Sequence, residues 1–233
     1  MPSAQQVEFD ELAKGQAEPD LYSLLREIHA SVSKLNSLHR RGTILFAEGE
    51  PARGVYILRT GRAAVSIASS EGRVVILRMA QPGDVLGLNS TLRNSSCEVT
   101  VKTLEPCRTD FIPRAQLLEL MEASDAAKHA ALKVLSSELT ELTNRTRSLL
   151  LSQTARARLA RLLLEWTRET NGNSSHATRV DKLLTHEEIA QMICSSRETV
   201  TRLLATFSRR SIIRITTDSI LISDCEALEQ MAL

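Results

Sequence analysis

Seven of the nine glycines fall within one short stretch, at Gly42, Gly49, Gly54, Gly61, Gly72, Gly83 and Gly87. Glycine enters left-handed turns without steric cost, so this cluster punctuates the chain into short segments. The intervening segments are apolar and β-branched, with Val55, Ile57 and Leu58, then Val65 and Ile67, then Val74, Val75, Ile76 and Leu77. Strands about ten residues apart with glycine turns predict an antiparallel barrel or sandwich. A further strand pair is expected at 98–102 and 107–112.

After residue 113 the period lengthens. Leu132, Leu135, Leu139, Leu142, Thr146 and Leu149 recur at alternating intervals of three and four, the a/d seam of a helix. Lys133, Ser136, Glu138, Glu141 and Arg145 flank it. A narrow apolar stripe on a long helix suits another helix better than a barrel wall, which predicts self-association through Leu132, Leu135, Leu139, Leu142 and Leu149. A second helix is expected from about 154 to 170, with Leu159, Leu162, Leu163 and Trp166 on one face. The run 171–175 (NGNSS) then reads as a loop.

Charge separates these regions. Residues 1–152 balance at 18 Lys/Arg and 18 Asp/Glu, whereas residues 153–215 carry 11 against 6. A basic C-terminal region hints at nucleic acid. Nowhere does the chain reach the ~18 consecutive apolar residues of a membrane span, and its first residues lack the apolar core of a secretory signal. A cytoplasmic location without membrane contact is expected. Cys97, Cys107, Cys194 and Cys225 are scattered without CxxC spacing, so no metal site is predicted and a redox role would fall to Cys97 or Cys107.

The most informative stretch is 184–204, LTHEEIAQMICSSRETVTRLL. Thr185 and Glu188 form a capping box that opens a short helix, with Ile189, Met192 and Ile193 on its apolar face. The Ser195-Ser196 pair restarts the chain as a second helix that buries Val200, Leu203, Leu204 and Phe207. Two helices joined by so short a turn cross steeply, as in a helix-turn-helix. Ile213–Ile215 and residues 220–222 then predict a β-hairpin, a wing. On the second helix Arg197, Glu198, Thr201 and Arg202 face away from the buried residues. Arginine can donate two hydrogen bonds to guanine O6 and N7, and glutamate can accept from cytosine N4, both in the major groove.

The run Ser196-Arg197-Glu198-Thr199-Val200-Thr201-Arg202 resembles the recognition helix of the Crp/Fnr family of transcription regulators. Residues 42–49 (GTILFAEG) with Tyr56 and Gly61, and residues 82–87 (PGDVLG), resemble that family's barrel. The resemblance covers about 35–225. It implies an α+β chain: an antiparallel β-roll or jelly-roll barrel, a long dimerisation helix and a C-terminal winged helix-turn-helix. The expected division is an N-terminal extension at 1–22, a cyclic-nucleotide-binding-like sensor barrel at 23–125, the dimerisation helix at 126–152 and the DNA-binding domain at 153–233. It further implies that Ser196, Arg197, Glu198, Thr199, Thr201 and Arg202 meet DNA, that a homodimer binds a palindromic operator with TGTGA-like half-sites, and that RNA polymerase is a partner if the protein activates. No enzymatic role and no cofactor is expected.

The chain departs from the family where cyclic-AMP-binding members hold the nucleotide. Gly87 is followed by Leu88, so the carboxylate that takes the ribose hydroxyl is missing. Counting back from Lys102 and Thr103 puts the phosphate-binding pair at Ser95 and Ser96, leaving only Arg93, out of register. On the long helix, Glu141 and Leu142 fall where those relatives meet the adenine. The expected effector pocket is Gly87, Leu88, Asn89, Ser95, Ser96 and Glu141, without cyclic AMP in it. No N-terminal cysteine cluster supports oxygen sensing, and the candidate haem ligands, His29, His39 and His129, read as lone surface or capping histidines. A sensor acting through protein partners alone is the competing function. A hydrolase finds no nucleophile elbow, HExxH or P-loop.

Overall fold

A computed structural model of the chain describes residues 21, 36–151, 154–171, 178–181, 184–216 and 219–232. All of the expected N-terminal extension except Leu21 lies outside the described residues, as do His29, residue 152, most of the loop at 171–175, and Thr217 and Asp218 of the expected hairpin turn.

The N-terminal half is the expected antiparallel barrel. Its strands are β1 (Asn36–His39), β2 (Ile44–Phe46), β3 (Gly54–Thr60), β4 (Ala63–Ala68), β5 (Val74–Ala80), β6 (Val85–Leu86), β7 (Thr100–Thr103) and β8 (Cys107–Pro113), with a short helix α1 (Leu88–Arg93) before β7. They form two four-stranded sheets, in the orders β1-β8-β3-β6 and β2-β7-β4-β5. Glycine is needed at several turns and close approaches, Gly54 and Gly87 among them. A Cβ on Gly54 would sit 2.1 Å from the Ile112 carbonyl oxygen, so only glycine lets β3 and β8 approach this closely. Gly87 opens α1 in the left-handed region at φ 82, against the Phe46 ring.

Two helices follow, α2 (Arg114–Ala123) and the long α3 (Asp125–Leu151). Asp125 complements the positive N-terminal end of α3. Small residues bring α3 onto the barrel: Ala130 and Ala131 are buried in one cluster with Val55, Ile57 and Leu117. Beyond this contact the apolar stripe divides. Leu132, Leu139, Leu142 and Leu150 are exposed at 64%, 67%, 42% and 76%. Within the single chain Leu135 packs partly on its own barrel and Leu149 is half-buried. A stripe facing two surfaces keeps the same three-four interval, so spacing alone does not separate them.

The C-terminal module comprises α4 (Ala155–Asn171), β9 (Thr178–Asp181), α5 (His186–Met192), α6 (Arg197–Arg209), β10 (Ile213–Ile215), β11 (Ser219–Ile222) and α7 (Cys225–Ala232). Leu159, Leu162, Leu163 and Trp166 are buried as expected. The wing is a three-stranded sheet, β10-β11-β9, not a bare hairpin. This module is docked on the barrel. Ala64, Ile76 and Leu104 share its buried cluster, and the Arg41 guanidinium holds Glu188 of α5 at 2.8 and 3.0 Å. No helix among the described residues is long and apolar enough to cross a membrane.

Candidate nucleic-acid interface and sensor cavity

The approach to α6 is built from local hydrogen bonds. Thr185 Oγ1 accepts from the Glu188 N–H at 3.2 Å, and the Thr185 N–H donates to Glu188 Oε2 at 2.6 Å, the capping box expected from sequence. At the other end of α5, Cys194 takes φ 49 and the Ser195 N–H reaches back to the Ala190 carbonyl at 3.0 Å. This left-handed closure sits at a residue other than glycine, which costs about 1 kcal/mol. Ser196 then caps α6 by accepting from the Thr199 N–H at 3.2 Å.

Val200, Leu204 and Phe207 of α6 bury against Ile189, Met192 and Ile193. Arg197, Glu198 and Arg202 are exposed on the N-terminal half of the opposite face. The Glu198 carboxyl is held below its usual range by its own backbone N–H, by the Ser196 hydroxyl and by Arg197, so it is an acceptor at neutral pH. The other predicted contacts are engaged within the chain. Ser196 and Thr199 bond each other in the cap at 3.1 Å. Thr201 Oγ1 donates to the Arg197 carbonyl at 2.9 Å and lies 2.8 Å from His186 Nδ1. The outward chemistry is therefore two guanidinium groups and one carboxylate at a helix N-terminus, a set that can read base edges.

A cavity of about 300 Å³ lies between barrel and long helix, walled by Phe46, Leu77 and Val101, by Gly87, Leu88 and Asn89, and by Leu135, Glu138, Leu139 and Leu142. Its guanidinium, Arg78, is 12% exposed and surrounded by acids: Asp84 Oδ2 at 2.5 Å, Glu138 Oε1 at 3.4 Å and Glu141 Oε2 at 3.7 Å. Burial alone would lower the Arg78 pKa, but Asp84, Glu141 and Glu138 raise it. Burial raises Glu138, with Arg78 opposing. At the rim, Glu98 accepts from Arg93 at 2.7 Å and from Asn89 at 2.6 Å. A second cavity, about 640 Å³, lies at the junction of barrel, α3, α4 and α5, lined by Arg78, Asp84, Glu141, Arg145, Trp166 and Met192 among others.

Comparison with known proteins agrees with this architecture. Residues 38–124 match the cyclic nucleotide-binding domain, and residues 157–231 match the Crp-like helix-turn-helix domain. The chain is 32% identical over 192 residues to the CRP-like cAMP-activated global transcriptional regulator of Mycobacterium tuberculosis, covering 82% of this chain and 85% of that one. The chain belongs to the Crp/Fnr family. It is a DNA-binding transcription regulator. Among solved structures, FixK2 from Bradyrhizobium japonicum superposes with a TM-score of 0.74 at 22% identity over 85% of this chain and 96% of that one. A CRP-family transcriptional regulator from Thermus thermophilus gives 0.69 at 25% identity over 84% and 96%.

Within this Crp/Fnr chain the expected effector residues separate. Gly87, Leu88 and Asn89 wall the smaller cavity. Ser95 and Ser96 do not: the Ser95 carbonyl accepts from the Ala52 N–H at 3.2 Å, and Ser96 bridges to Pro51. The cause is Asn94, whose φ of 53 turns the chain away after α1, so the segment returns to the cavity only at Glu98 and Val99. Glu141 lines the larger cavity and reaches Arg78 from that side. Arg78, Glu98 and Glu138 had no sequence signal, since they converge only through the fold. His39 is bonded to Thr109 Oγ1 at 2.9 Å, and burial lowers its pKa. Burial, with Glu50 beside Cys97 and Glu105 beside Cys107, pushes both thiols up, away from the thiolate that redox chemistry needs.

Proposed function

We propose that this regulator is a cytoplasmic homodimer that reads an inverted-repeat operator through Arg197, Glu198 and Arg202, and that its sensor cavity takes something other than cyclic AMP. The observation that carries the first part is the exposed Arg/Glu/Arg face at the start of a capped recognition helix. The dimer rests on Leu132, Leu139, Leu142 and Leu150, large apolar side chains left in water along one helix. Two copies joined there would present two recognition helices to half-sites one helical turn apart, with RNA polymerase as a further partner if the protein activates. The division at 23–125, 126–152 and 153–233 follows the barrel, the long helix and the module that carries α6.

The Mycobacterium tuberculosis relative is described as activated by cyclic AMP. The present cavity suits that ligand poorly. A phosphodiester losing its water needs a cation and several donors in return. Arg78 is already held by Asp84, Glu138 and Glu141, Arg93 at the rim is held by Glu98, and Leu88 offers no ribose acceptor. A neutral or cationic effector fits this lining, as does an apo dimer already competent for DNA. A gel shift of a labelled inverted TGTGA duplex tests the DNA part. A salt-dependent shift that is weaker on random duplex is expected, and no shift at any salt would favour a sensor acting only through protein partners.

A further inference from the structure

Three consecutive carbonyls of the helix-turn-helix turn each accept from an arginine. Arg145, on the long helix α3, uses Nη2 to reach the Met192 carbonyl, and the same nitrogen donates to Ile76 of barrel strand β5 at 3.3 Å. Arg158, on α4, donates from Nε to the Ile193 carbonyl at 2.7 Å and from Nη2 to the Cys194 carbonyl at 3.5 Å. Arg73, in the turn between β4 and β5, donates from Nη2 to the same Cys194 carbonyl at 3.3 Å.

The Met192 and Ile193 carbonyls are the open, negative end of α5, and Cys194 follows directly after the cap. Guanidinium groups are suited to that end, and charge-assisted bonds are the stronger kind. The held segment is also strained, because Cys194 occupies the left-handed region without being glycine. Two residues later Ser196 starts the recognition helix, so the turn's conformation sets the angle at which α6 leaves it. The donors come from the barrel, the long helix and the DNA-binding module in turn.

We propose that Arg73, Arg145 and Arg158 are positioning residues for DNA recognition: they clamp the turn carbonyls, hold Cys194 in its strained conformation and transmit the state of barrel and long helix to the recognition helix. They act behind α6 and touch no DNA. Arg145 is the joint of the device, since one nitrogen bridges a sensor strand and the helix-turn-helix.

The test uses the full-length protein with Arg145→Met, Arg145→Lys and Arg158→Met, and Arg158→Met combined with Cys194→Gly. Hydrogen exchange of the free protein should quicken about tenfold at the Ser195 and Val200 amides, the loss expected of one charge-assisted bond, while the wing sheet keeps its protection. Arg145→Lys keeps the charge without the fork, so it should fall between wild type and Arg145→Met and serves if that variant does not fold. Affinity for the inverted TGTGA duplex should drop about tenfold, with random-duplex affinity and salt slope unchanged. Cys194→Gly should restore much of the protection lost in Arg158→Met, because glycine needs no clamp there.

Unchanged exchange at the turn in both Met variants would overturn the proposal. So would a salt slope lowered by about one per arginine with equal loss on random duplex, which would make these residues phosphate contacts. If the wild type does not distinguish the TGTGA duplex from random DNA, the half-site reading fails. The exchange measurement then decides the clamp alone.

Discussion

The sensor cavity and the recognition helix use the same side chain in opposite ways. Arg78 is nearly buried and enclosed by Asp84, Glu138 and Glu141, whereas Arg197 and Arg202 stand exposed beside one carboxylate, Glu198. A guanidinium enclosed by acids holds barrel to helix and has little left to offer an incoming phosphate. One left in water at a helix N-terminus is available to an anion. On the proposed reading, the guanidinium groups that meet an anion are those of the recognition helix, not Arg78 of the barrel.

The strongest way to break this comparison is to separate the two copies proposed to present those helices together. Leu139→Glu would bury unpaired carboxylates across the proposed seam at a cost of about 3–5 kcal/mol. Leu139 is 67% exposed in the single chain, so the monomer should keep its fold. Sedimentation should give a monomer with little operator affinity, and an unchanged dimer would move the seam elsewhere on α3. Next in size, Arg78→Ala leaves Asp84 and Glu138 without their cation and should cost about 2–3 kcal/mol of stability, reduced from the fully buried case because both acids are partly solvated. Its melting temperature should fall with no change in the salt slope for DNA. A lowered slope would mean that Arg78 faces an anion after all.

On the other side of the comparison, Arg202→Ala and Glu198→Ala should each cost roughly 1–3 kcal/mol at the cognate site and relax preference at one position per half-site. Binding-site selection that returns direct repeats or no consensus would count against base reading by this face. The smallest effect belongs to the turn. Cys194→Gly removes a left-handed penalty and should raise stability by about 1 kcal/mol in thermal or denaturant unfolding.

How far each region was legible follows from how it is assembled. The recognition module is written in short-range terms: Thr185 with Glu188, Ser196 with Thr199, and the apolar spacing of Val200, Leu204 and Phe207 all act within a turn or two of helix. The cavity is long-range. Arg78 meets Glu138 across sixty residues of chain, and no spacing announces that pair. Counting back from Lys102 points to Ser95 and Ser96, whereas Glu98 and Val99 line the cavity, because the reversal at Asn94 uses up residues before the chain returns to the wall. Strand β9 had no pattern of its own, since it exists by pairing Val180 with Ile220 of β11. The last helix, α7, carries a signal of its own: Asp224 accepts from the Ala227 N–H at 2.9 Å, ahead of the apolar Ala227, Leu228 and Met231.

The most direct test is operator affinity of dialysed protein measured by fluorescence anisotropy with and without cyclic AMP, beside calorimetry of the nucleotide alone. A salt-steep affinity that is the same in both conditions, with no heat of nucleotide binding at micromolar concentration, is the predicted result. Micromolar cyclic-AMP binding together with nucleotide-dependent operator affinity would contradict it and return the anion to the cavity beside Arg78.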